Sequence, residues 1–153
     1  MTITMADVLH LEKRHYALPG KDRASDIGQA IDAAMKELVA PLGAVISHQF
    51  DPHDYRLNEM YHEIKSSVGT WLSIPNSETE FAEMQLGIGS DVIYDVVLQL
   101  DLRRARLLGS VPYSKFRHMI EPSKFLTWRK LEEGWSQERS HCVLLSKVKS
   151  LLT

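Results

Sequence analysis

The sequence predicts a mainly α protein, a compact bundle of about seven or eight helices in a single domain over residues 1–153, with room for one short strand near 44–50. Three observations point there. Apolar residues recur at helical spacing in two long windows, Ser, Pro and Gly stand where helices start and stop, and the stretch 91–108 runs without Gly or Pro.

Met5 to Ala17 can form a first, short helix. Ser25 then caps a helix running from Asp26 to about Ala40, which Pro41 and Gly43 end. On a wheel of about 100° per residue, Ile27, Ala30, Ile31, Ala34, Met35 and Leu38 share one stripe. Residues 43–50 read as extended. A second amphipathic helix is expected from Asp54 to Leu72, with Leu57, Met60, Tyr61, Ile64, Val68, Trp71 and Leu72 on its apolar face. Ser77 and Glu80 make a capping box for a helix to about Leu86. Over 91–108, Val92, Tyr94, Val96, Leu98, Leu100 and Leu102 alternate as in a strand, yet Ser90, Gly109 and Pro112 punctuate the stretch as a helix. The expectation is a central helix, apolar almost all round. Pro122 opens a further helix that Gly134 closes, and Ser136 caps a last one with a seam of Leu144, Leu145, Val148, Leu151 and Leu152.

Composition is that of an average soluble protein, 44% apolar and 25% charged. One cysteine, Cys142, excludes an internal disulfide, and neither a signal-peptide core nor a membrane span is visible. Together these predict a cytoplasmic protein.

Charge is distributed in blocks. Residues 21–102 hold fourteen acids against five bases, whereas 103–130 hold eight bases against one acid, with Tyr113, Phe116, Phe125 and Trp128 among them. Such blocks create a field even on a chain of net charge −2. Arg103, Arg104, Arg106, Lys115, Arg117, Lys124, Arg129 and Lys130 are therefore the candidate partner-binding residues. The function expected from them is a non-enzymatic binding or assembly protein. Its partner would be an acidic protein surface, including that of a second copy packed head to tail. Nucleic acid is the alternative partner, with the aromatics free to stack on bases. No cofactor and no membrane are expected.

A third reading is a metal-dependent hydrolase. His48, Asp51 and His53 offer imidazole and carboxylate donors on one loop, a chemistry suited to zinc and similar ions. Downstream of Asp51, Glu63-Ile64-Lys65 resembles a restriction-type nuclease signature. The resemblance implies that Asp and Glu hold a divalent ion while Lys positions the attacking water. It also implies a Glu-x-Lys on a strand, which conflicts with the helix expected over 54–72. Cys142 beside His141 is no nucleophile–base pair by adjacency alone. Gly87-Ile88-Gly89-Ser90 reads as a tight turn.

Overall fold

The computed structural model describes residues 2–4, 23–48, 51, 53–101 and 104–152, with the backbone alone for 2–4, 23–27, 123–125, 128–130 and 135. The expected helical bundle is overturned: the described residues are organised by two β-sheets, and the all-α reading is wrong. In chain order they form β1 (Thr2–Thr4), α1 (Arg23–Val39), β2 (Val45–Ile46), β3 (Tyr55–Leu57), β4 (Met60–Ser67), β5 (Trp71–Pro75) and α2 (Asn76–Gly87). There follow β6 (Val92–Asp101), β7 (Arg104–Pro112), α3 (Tyr113–Phe116), β8 (Glu121–Leu131), β9 (Gly134–Leu144) and α4 (Leu145–Lys149). The helix expected over Met5–Ala17 lies outside the described residues.

The larger sheet has the order β1-β7-β6-β4-β3-β2. Every neighbouring pair in it is antiparallel except β4 and β6, which run parallel. A parallel pair requires a crossover, here supplied by β5 and α2. The smaller sheet, β5-β9-β8, is antiparallel throughout.

Two cores follow from this layering. On one face of the large sheet, Ala30, Ile31, Ala34, Met35 and Val39 of α1 pack on Tyr55, Ile64, Val97 and Ala105. Ala30, Ile31, Ala34 and Met35 belong to the stripe that the sequence shows, whereas Leu38 is exposed and Val39 takes its place in the core. The helix begins at Arg23, ahead of the expected Ser25 cap. On the other face, Val92, Tyr94, Val96 and Val111 meet Leu72, Ile74 and Val143 of the small sheet, with Ala82, Tyr113, Phe116, Leu145 and Val148 filling between. β6 is thus covered on both sides, and a strand buried on both faces is apolar all round. The same property describes a central helix, which is why the sequence of 91–108 misleads. The segment is a hairpin of β6 and β7.

The window 54–72 is likewise no helix. β3 turns into β4 through Asn58 and Glu59, both at positive φ (52° and 65°), with Leu57 opposite Met60. That is the left-handed two-residue turn of a hairpin, made without the glycine that usually announces it. Residues 121–144 fold as the hairpin β8–β9 and not as two helices, with Gly134 at φ 132° opening β9. Near its start, α2 is tied to β9: Ser77 donates to the Glu138 carboxylate from both N–H and Oγ (3.0 and 2.9 Å), and His141 Nε2 pairs with Asn76 Oδ1 at 2.9 Å.

Candidate functional site

β3 is only three residues long, so it leaves β4 after pairing Tyr55 with His62. Asp54 sits at this parting. Its N–H donates to the His62 carbonyl (2.9 Å), and its Oδ2 accepts the Ile64 N–H at 2.6 Å. The side chain thereby occupies a ladder position that a longer β3 would have filled. On β4, Tyr61, Glu63 and Lys65 project to one face, because side chains alternate along a strand. Glu63 is 4% exposed. Lys65 Nζ donates to Glu78 Oε2 on α2 at 2.7 Å, and Lys36 of α1 approaches Asp54 Oδ1 at 3.7 Å.

These groups are strongly coupled. Burial raises the Glu63 carboxyl well above its ordinary value, and Glu78 and Asp54 raise it further. Of these neighbours, Glu78 is the first to push Glu63 upward. Burial also raises Glu78, against the pull of Lys65. Asp32 on α1 is raised by burial and then by Asp54. For Lys65, burial opposes the charged form, but Glu78 and Glu63 outweigh it and the pKa goes up. Glu63 Oε1 stays buried without a hydrogen-bond partner. Asp54, Glu63 and Glu78 are thus electrostatically coupled to Lys65, and Glu63 Oε1 is a buried acceptor left unused.

A carboxyl whose native pKa exceeds its unfolded value gives its full stabilising share in acid, below the unfolded value, and loses it as pH rises through the native one. Asp32, Glu63 and Glu78 all act in this sense. The metal-free protein is therefore expected to lose stability from about pH 4 toward neutrality. Glu63→Gln should flatten that slope and raise the melting temperature at pH 7.5. Thermal unfolding across pH checks it; a Glu63→Gln protein less stable than wild type at pH 7.5 would count against the buried-charge account.

The loop His48, Asp51 and His53 does not converge. Asp51 Oδ2 accepts the His48 N–H at 2.6 Å, closing a turn, and both residues are exposed. His53 turns inward and packs on Tyr61 and Phe81, with ring centroids 4.2 and 5.6 Å away. Its pKa is lowered, first by burial. Among the described residues, no three His, Cys, Asp or Glu side chains form a ready cation cage. The donors at Asp54 and Glu63 are hard oxygens, however. Magnesium needs only one or two carboxylates, with water and substrate phosphate completing its shell. The orphaned Glu63 Oε1 fits such an ion.

Asp54, not Asp51, stands beside the Glu63-x-Lys65 pair, and that pair lies on a strand as the signature requires. The basic residues are scattered. Arg104 pairs with Asp101 at 3.0 Å, Arg117 holds Glu83 in a two-point contact, and Arg106 and Lys115 are exposed. Lys124, Arg129 and Lys130 lie on β8 with only their backbone described, and Arg103 lies outside the described residues. Sequence reasoning missed Glu78 and Asp95. Buried Asp95 on β6 accepts from Tyr55 Oη of β3 and from Ser110 Oγ of β7 (2.7 Å), and lies 3.2 Å from His62 Nδ1 of β4. One carboxylate thus links four adjacent strands of the larger sheet.

No family model, curated protein or solved structure matches this chain. Among the described residues, no helix is long and apolar enough to cross a membrane.

Proposed function

We propose that this protein is a divalent-cation-dependent phosphodiesterase acting on nucleic acid. The observation that carries the reading is the Asp54–Ile64 hydrogen bond, which seats an aspartate beside Glu63 and Lys65 on a central strand. Asp54 and Glu63 would hold the cation. When bound, the cation would polarise the phosphoryl oxygens and lower the pKa of a water ligand. Glu63, whose pKa burial raises, must be ionised to hold the cation. Lys65, kept cationic by Glu78, supplies positive charge to the phosphate as it gains negative charge at attack. Lys36 offsets the remaining charge near Asp54.

The test is direct. Labelled single-stranded DNA, duplex DNA and RNA are incubated with magnesium or manganese, or with EDTA. Cleavage that EDTA abolishes is the expected outcome. Intact substrates under every condition, with no heat of magnesium or manganese binding by calorimetry, would end the proposal. A protein-binding or assembly role for the basic segment is the second reading, and the exposed Arg106 and Lys115 favour it.

A further inference from the structure

Beside the carboxylates stands an aromatic group that the hydrolytic reading leaves unused. Tyr61 shares the β4 face with Glu63, two residues or about 6.7 Å along the strand. Its ring lies 4.2 Å from that of His53 and 5.3 Å from that of Phe81, centroid to centroid. The exposed Arg56, paired across the hairpin with Tyr61, holds its guanidinium 5.3 Å from the centre of the Tyr61 ring. The three rings are only partly buried, and His53 Nδ1 is buried with no hydrogen-bond partner. A partly exposed phenol ring beside an exposed planar cation has the chemistry that unpaired bases stack on.

We propose that the substrate is single-stranded nucleic acid, held by a base stacked at Tyr61 and Arg56 while the adjoining phosphate reaches Asp54, Glu63 and Lys65. This rests on the phosphodiesterase reading for the phosphate end alone. Duplex bases are already stacked on one another and present no face to Tyr61. The site therefore selects strands that are open. Recognition through the face of the ring is tolerant of base identity, since every base has one.

Binding is measured in EDTA, where no cleavage occurs, by fluorescence anisotropy. The probes are oligothymidylate, oligouridylate, a blunt DNA duplex of equal length and an abasic deoxyribose-phosphate strand. The two oligonucleotides separate DNA from RNA as the natural source. At least one of them should bind about tenfold or more tightly than the duplex and the abasic strand. Tyr61→Leu, which keeps an apolar side chain but removes the ring, should lose about tenfold in single-strand affinity, and Tyr61→Phe should keep it. Arg56→Ala, at an exposed position, should also weaken binding and serves where Tyr61→Leu fails to fold. Equal affinity for duplex or abasic strand, or Tyr61→Leu and Arg56→Ala proteins that bind as wild type, would overturn the proposal. The outcomes remain separable from the first reading. A protein that cuts duplex and single strand equally in magnesium keeps its phosphodiesterase role and loses this one. A protein that binds open strands through Tyr61 but cuts nothing does the reverse.

Discussion

Replacing Asp54 by Asn, or Lys65 by Ala, is expected to reduce cation-dependent cleavage by at least about 10²-fold, the usual loss when one charged or donor group leaves a preorganised site. The two variants should fail differently. In Asp54→Asn the amide oxygen can still accept the Ile64 N–H, so the strand junction survives while a charge needed by the cation is gone. Its loss should appear as weakened magnesium affinity in calorimetry. Lys65→Ala removes the cation partner of Glu78 and leaves Asp54 untouched, so magnesium should bind at least as well while turnover falls. Single-turnover rates at saturating magnesium separate these cases. Wild-type rates in either variant would remove the group from the chemistry.

Asp95→Ala should destabilise the fold by about 2–4 kcal/mol, since it leaves the buried Tyr55 hydroxyl without its acceptor and removes packing at the centre of the sheet. Ser110 would lose one of its contacts as well. The Tyr55 hydroxyl is held in its donor form, since burial and then Asp95 push its pKa upward. For a chain of this length each kcal/mol corresponds to about 2–4 °C in melting temperature. Asp95→Asn preserves shape and part of the accepting capacity, so its cost should be smaller, about 1–3 kcal/mol. Urea unfolding measures both. A loss below about 1 kcal/mol for the alanine variant would mean that the four-strand link is dispensable.

What the sequence made legible was helical. The stripe through Ala30, Ile31, Ala34 and Met35 lies on α1. α2 stands where the sequence predicts a helix, although the Ser77–Glu80 capping box does not form: Ser77 bonds Glu138 instead. The strands stayed hidden for separate physical reasons. Asn58-Glu59 adopts a turn normally written with glycine, and Glu132-Glu133 turns β8 into β9 with only Gly134 as a mark. β6 does alternate, from Val92 through Leu100, but the uninterrupted length of 91–108 and its Ser90, Gly109 and Pro112 punctuation read as a helix. Without the β3–β4 turn, the reversals of chain direction between 55 and 75 reproduce a helical apolar spacing by chance.

The site was half visible. Glu63-Ile64-Lys65 is visible as a pattern, but the sequence pairs it with Asp51, whereas Asp54 is the aspartate that bonds the Ile64 N–H. Glu78 and Asp95 arrive through the crossover and across the sheet, far along the chain from their partners. A strand carrying a buried Glu and a partly buried Lys violates the rule that pleated interiors are apolar. Violations of that kind are where function should be sought.

Asp54 has one oxygen engaged by the backbone and one near Lys36. With Oδ2 already accepting the Ile64 N–H, Oδ1 is the oxygen that Asp54 would offer most readily to a cation. Calcium favours wide shells that include chelating carboxylates, whereas magnesium accepts lone oxygens and retains its hydration. Ionic selectivity would then be written into the sheet itself, and the larger alkaline-earth ion would make an inert occupant.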